Sequence, residues 1–298
     1  MNNSKLRNRK SRRRLRNIAV LPSLITLMNG LCGFAAIHFA ARGMNEPDRL
    51  WFKNPELTFF AAAAWMIFFA MVADAVDGFV ARRSGSTSNF GGQLDSLADV
   101  ISFGVAPAFL MLRVVESGLQ ASASPLFCDY ADRLLWLAAA LYVCCAILRL
   151  ARFNVENAPE ESAHLKFSGL PTPAAAGVIA AWVLLYSDLM PELREQLPGI
   201  SWFAPVIIYL LPFLTAGVAL LMVSRVPYLH VVNQFIRGRR PFEYLVILIF
   251  LILLLIWRLQ LTLAIGSVTY AMSGAIQWLR QRKKKVESKE KKVEGGEL

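Results

Sequence analysis

Residues 57–99 read LTFFAAAAWMIFFAMVADAVDGFVARRSGSTSNFGGQLDSLAD. From Leu57 to Ala73 the run is apolar and uncharged, and with the next two turns it is long enough to cross a hydrocarbon core of about 30 Å as a helix. Four aspartates then interrupt it at helical intervals. Asp74, Asp77, Gly78, Ala81 and Arg82 fall at i, i+3, i+4, i+7 and i+8, so they share one helix face. Past a Ser, Gly and Asn-rich turn, Gly91, Asp95 and Asp99 recur at steps of four and share one face of the next helix. The spacing predicts two carboxylate-bearing faces that meet.

A charge within a span costs at least ~2.5 kcal/mol on insertion scales, so four aspartates at two adjacent helix ends call for an explanation. Solvation at the membrane surface, with pairing to Arg82, Arg83, Arg149 or Arg152, is the plain one. It leaves the glycines and alanine at the same helical spacing unexplained. Four carboxylates are hard oxygen donors that suit magnesium or manganese better than zinc or copper. Two such cations can clamp a diphosphate and stabilise a leaving phosphate oxygen. Glycine on the same face lets backbone approach a nucleotide, and arginine offers a phosphate partner.

Working outward, apolar stretches recur along the 298 residues, 56% of which are hydrophobic. That share exceeds an ordinary soluble domain's and points to a bilayer. Spans are expected at 18–41, 57–80, 95–115, 133–154, 172–187, 203–223, 242–257 and 260–278. The last pair reads either as a hairpin broken at Arg258 or as one span followed by an interfacial helix. The run from Ile18 to Ala41 is too long for a signal-peptide core and shows no cleavage site, so it is taken as the first span.

Of the 32 Lys and Arg, eight lie between Lys5 and Arg16 and eight between Arg280 and Lys292. Both tails are therefore basic, and the positive-inside rule places both in the cytoplasm, with an even number of spans. The expected fold is an all-α integral membrane protein with about eight transmembrane helices and both termini cytoplasmic. Its parts are a basic tail (1–17), a catalytic membrane domain (18–225), C-terminal membrane helices (226–278) and a charged disordered tail (279–298). Each basic tail abuts apolar sequence and lacks interleaved aromatics, which favours anionic lipid headgroups over nucleic acid. Cys32, Cys128, Cys144 and Cys145 show neither metal nor disulfide spacing and read as packing residues, as does His38. There is no zinc, serine-hydrolase or ATPase motif.

The pattern D-x2-D-G-x2-A-R-x8-G-x3-D-x3-D, filled by Asp74, Asp77, Gly78, Ala81, Arg82, Gly91, Asp95 and Asp99, resembles the CDP-alcohol phosphatidyltransferase family. The resemblance implies that Asp74, Asp77 and Asp95 are metal ligands, that Asp99 is ligand and catalytic base, and that two Mg2+ or Mn2+ ions serve. It implies that Gly78 and Arg82 contact a CDP-lipid, together with Ala81 and Gly91, and with Ser88 at a small hydroxyl position. The family's N-terminal Asn-x-Leu/Ile-Thr element reads Ser23-Leu24-Ile25-Thr26 here. Thr26 carries over as a nucleotide-side contact; Ser23 departs from the pattern, and Asn29 one turn later is a candidate substitute.

Three further segments are similar to the phosphatidylserine synthase branch: GGQLDSLADVISFGVAPA at 91–108, RLARFN at 149–154 and FSGLPTPAAA at 167–176. The branch implies CDP-diacylglycerol and L-serine as substrates, and phosphatidylserine and CMP as products. Arg149 and Arg152, at i and i+3, are candidates to receive the carboxylate of serine or a nucleotide phosphate, with Asn154 and Lys166 behind them. Phe167 to Pro173 reads as a rigid turn that shapes the site. The same chemistry on glycerol phosphate or inositol phosphate is the alternative, and a cation transporter is a remote one that lacks the expected inverted repeats. The expected setting is a prokaryotic cytoplasmic membrane with the site facing the cytoplasm, and a homodimer is left open.

Overall fold

The structure, a computed structural model, describes residues 3–45, 58–84, 89–120, 125–156, 169–189, 203–224, 226, 254, 258–274 and 276. Among them there is no β-strand. The helices are α1 (Asn3–Asn45), α2 (Phe59–Ser84), α3 (Asn89–Asp99), α4 (Ala106–Gln120), α5 (Pro125–Glu156), α6 (Thr172–Leu184) and α7 (Phe203–Val223), followed by helical residues 259–274. A π-helical stretch, Val100–Val105, joins α3 to α4, and a second, Leu185–Leu189, extends α6.

Five of these helices are long and apolar enough to cross a membrane: Pro22–Met44, Phe59–Val80, Phe90–Leu119, Asp132–Val155 and Pro205–Val223. Thr172–Ser187 is apolar but shorter. The molecule is a multi-pass, all-helical membrane protein. The expected span at 242–257 lies, apart from Leu254, outside the described residues. At Arg258 the chain bends sharply. Thr262 Oγ1 reaches both Arg258 O at 2.9 Å and Leu254 O, eight residues back, at 3.1 Å, whereas in an unbroken helix those two carbonyls are separated by a rise of about 6 Å.

The arrangement follows from a reversal of the soluble pattern, with bulk outward and small or polar residues inward. On α1, Leu24, Leu27, Leu31 and Phe34 are exposed along one stripe, while Thr26, Asn29, Ala36 and Ala40 are buried along the opposite one. On α2, Ala61 to Ala64, Ile67 and Ala70 are buried, and Phe69, Val72, Val76 and Phe79 face out. The third span is the central one: 67% of its most apolar window is buried, against 33% for the first span. Lipid-facing stripes of this kind need no protein partner, because hydrocarbon solvates them.

Two close approaches set the geometry around the third span. A Cβ on Gly33 of α1 would stand 2.6 Å from Ser102 Cα, so only glycine lets the two backbones meet there. Tyr142 of α5, wholly buried, donates to Phe103 O at 3.0 Å. Both partners lie in the π-helical stretch, whose wider turn shifts the register directly after Asp99. At the entry to α6, Gly169 has φ +96° and its Cβ position is occupied by Met222 O. Gly169 N–H donates to Val226 O at 2.9 Å and Leu170 N–H to Leu221 O at 3.1 Å, which seats this turn on the end of α7.

Two expected packing residues turn out to be exposed. Cys144 lies on the outer face of α5, whereas Cys145 is buried and Cys32 half-buried. His38 is exposed on α1, its ring edge-on to Phe39 at 5.8 Å. Both sit on stripes that point away from the bundle, which a one-dimensional apolar run does not distinguish from inward ones.

Candidate carboxylate and metal site

The cluster forms where the ends of α2 and α3 meet α1. Asp74, Asp95 and Asp99 each offer an oxygen, and these three atoms lie within 4.8 Å of one another. Asp77 is not in that group. It is 5% exposed, and Thr26 Oγ1 donates to its Oδ2 at 2.7 Å, with Pro22 O at 3.0 Å competing for the same proton. Asp77 still lies within electrostatic range of the other three. Asp99 is 8% exposed and accepts from Asn29 Nδ2 at 3.0 Å.

Like charges at 4.8 Å repel by about 3.5 kcal/mol per pair at an effective dielectric of about 20. Three carboxylates so placed are unfavourable without a counter-charge. Asp95 Oδ1 is moreover buried with no protein partner among the described residues, which costs about 1–3 kcal/mol if nothing else meets it. An all-oxygen donor set with an orphaned buried oxygen fits a hard divalent cation.

Beyond Asp99 stands Arg149 of α5. It is partly buried, within electrostatic range of Asp99 and of Tyr270. Its Nη1 donates to Thr172 Oγ1 at 2.6 Å, while its Nε is buried with no partner among the described residues. Thr172, wholly buried at the start of α6, is placed by the Gly169 turn and by Pro171 ahead of the helix. A guanidinium anchored at Nη1 and unmet at Nε is a receptor for an anion.

The remaining expected site residues distribute as follows. Gly78 is half-buried on α2 and Gly91 half-buried on α3. Ala81 and Arg82 lie in the last turns of α2, within the helix. Ser88 and Lys166 fall outside the described residues. Arg152 is exposed near the end of α5. Asn154 is exposed and donates from Nδ2 to Ser96 Oγ at 2.9 Å, which ties α5 to α3. Asn29, expected to replace a nucleotide contact, instead gives its amide to Asp99.

Thr172 and Ser102 were not singled out from the sequence. A polar residue between two prolines, and a serine three positions past the last aspartate, are the only hints that each carries.

Fold and site together define an all-helical membrane protein with a cation-suited acidic cluster at one end of its central helices and a partly buried arginine beside it. Residues 19–207, more than half of the chain, match the sequence profile of CDP-alcohol phosphatidyltransferase, and the chain belongs to that family. It is 31% identical over 223 residues to CDP-diacylglycerol–serine O-phosphatidyltransferase of Helicobacter pylori, covering 74% of this chain and 81% of that one. It is 34% identical over 142 residues to the Methanocaldococcus jannaschii protein of the same name, covering 47% of this chain and 60% of the relative. Archaetidylserine synthase of Methanothermobacter thermautotrophicus is 32% identical over 181 residues, 59% of this chain and 64% of that protein. The chain thus spans about three-fifths of the length of the Methanocaldococcus and Mycobacterium leprae relatives that it matches.

Proposed function

We propose that the chain transfers the phosphatidyl group of CDP-diacylglycerol to the hydroxyl of L-serine, giving phosphatidylserine and CMP. The observation that carries the reading is the meeting of three aspartate oxygens within 4.8 Å beside a buried arginine with an open N–H. In this reading Asp99 accepts the proton of the serine hydroxyl as its oxygen attacks the phosphatidyl phosphorus, and the bond from phosphorus to the CMP oxygen breaks. Arg149, anchored on Thr172 through Nη1, receives the serine carboxylate through the other N–H donors of its guanidinium. Gly78, Ala81 and Gly91 leave room for the nucleotide; Arg82 and Ser88 meet its phosphates, and Thr26 holds Asp77 in place beside it. Asp74, Asp77, Asp95 and Asp99 would hold two Mg2+ or Mn2+ ions, whose charge would neutralise the diphosphate and stabilise the departing phosphate oxygen.

The same reading orients the molecule. Water-soluble nucleotide and serine reach the cluster from the cytoplasm of a prokaryotic cell, so the turn after Arg83 faces that side. Both basic tails lie there too, on anionic headgroups, with eight spans between them. The catalytic membrane domain is 18–225; the helices at 226–278 and the tails at 1–17 and 279–298 flank it.

The test is purified protein with CDP-diacylglycerol and a panel of alcohols, following CMP. Release on serine, and not on glycerol phosphate or inositol phosphate, is the expected result. Release on one of the latter moves the acceptor; no release with any acceptor, together with cation flux in liposomes, returns the transporter reading.

A further inference from the structure

We propose that Asn29 is the positioning residue of this centre, fixing one oxygen of Asp99 so that the other is presented to metal and acceptor hydroxyl. The inference rests on the carboxylate cluster being the reaction centre. Asn29 is 0% exposed, so no substrate arriving from water touches it and its effect must pass through Asp99. Its Nδ2 donates to Asp99 Oδ1 at 3.0 Å. Turned the other way, the amide would set its own oxygen against a carboxylate, so this partner fixes its orientation.

The backbone of Asn29 is fixed as well. Its carbonyl accepts from Ser102 Oγ at 2.8 Å, and Ser102 lies in the π-helical stretch that starts directly after Asp99. Gly33, one turn on, lets the two backbones close up at that same serine. The segment that carries Asp99 therefore grips α1 at three points: Asn29 side chain, Asn29 carbonyl and Gly33. One turn before Asn29, Thr26 makes the equivalent bond to Asp77 on α2. The described residues of α1 in this region carry no acid, yet α1 donates to one carboxylate on each of the two acid-bearing helices.

The remaining atom argues for function over packing. Asn29 Oδ1 is buried without a partner among the described residues, a penalty that an apolar side chain of the same size would not carry. An amide retained there is explained by what its other end holds. Hydrogen bonds that orient a metal-ligating carboxylate change metal affinity or activity by about 10–100-fold when removed.

The experiment is Mn2+ binding to the purified full chain in detergent without substrate, read by the loss of the free-ion EPR signal, alongside steady-state kinetics. Asn29→Ala is expected to weaken Mn2+ about 10–100-fold and lower kcat to match, with KM for CDP-diacylglycerol within about twofold. On an Asp99→Ala background, where no side-chain oxygen is left to accept from Asn29, the same change should cost no further Mn2+ affinity. If Asn29→Ala does not yield folded protein, Ser102→Ala takes its place, with an expected loss of about threefold. Wild-type Mn2+ affinity in the folded variant, or additive loss on Asp99→Ala, overturns the proposal alone. A wild-type protein that binds no Mn2+ overturns the metal reading and this inference with it.

Discussion

The two sides of the carboxylate cluster are built differently. Toward α1 the carboxylates are held: Thr26 donates to Asp77 and Asn29 to Asp99, in a region where all four residues are nearly inaccessible and only Asn29 Oδ1 lacks a partner among the described residues. Toward α5 and α6 a polar group is open, since Arg149 is anchored at Nη1 but its Nε is buried and unmet. Asp95, with its orphaned Oδ1, belongs to the open set too. A carboxylate that already accepts from a protein donor is fixed in place, whereas the charged groups of Asp95 and Arg149 keep an unmet atom that a ligand can complete. The closed side positions; the open side receives.

The largest effect should come from the open carboxylate. Asp95→Asn is expected to lower CMP release at least about 1,000-fold, because it removes a ligand charge and turns one of two ligand oxygens into an amide nitrogen. Without metal, the same variant should melt about 2–4 °C above the wild type, since a repelling charge has gone. Turnover and thermal melting in detergent check the two halves. Near-normal turnover would mean that Asp95 is no ligand, and an unchanged melting point that the repulsion is already neutralised.

Next comes the open arginine. Arg149→Gln is expected to raise KM for serine about 10–100-fold while leaving KM for CDP-diacylglycerol nearly unchanged, as fits a charge-assisted bond of about 1.5–3 kcal/mol. Loss of affinity for the nucleotide lipid instead would place Arg149 at the phosphates, and the open side would then belong to the donor.

How much of this comparison was legible beforehand depends on the range of the contacts. The aspartate faces were readable because steps of three and four residues define a helix face without any tertiary knowledge. The apolar runs were readable for the same reason, and five of the expected spans coincide within a few residues with the long helices. The pairings were not. Asn29 meets Asp99 across 70 residues and Arg149 meets Thr172 across 23, and no local period encodes which helix lies beside which. The π-helical stretch was likewise hidden, since nothing in VISFGV distinguishes it from the α-helix on either side. Sequence therefore located the acids and the candidate arginines, and packing decided which were closed and which open.

Smaller effects sharpen the difference. Thr172→Val keeps the shape but removes the acceptor for Arg149 Nη1, so KM for serine should rise about three- to tenfold, or about 1 kcal/mol. Steady-state kinetics over a serine series checks it. A loss equal to that of Arg149→Gln would show that anchoring is the whole of the arginine's contribution. Arg152→Gln, exposed at the end of α5, should shift the same KM by no more than about threefold. A larger shift would move the serine carboxylate outward, to the membrane surface.

The most direct test of the central claim is stoichiometric. In proteoliposomes carrying CDP-diacylglycerol and supplied with labelled serine, CMP released and serine recovered in the lipid phase should appear one for one, only with Mg2+ or Mn2+ present, and both should cease on chelation. CMP formed without lipid-borne serine, or either product persisting in chelator, would contradict the account.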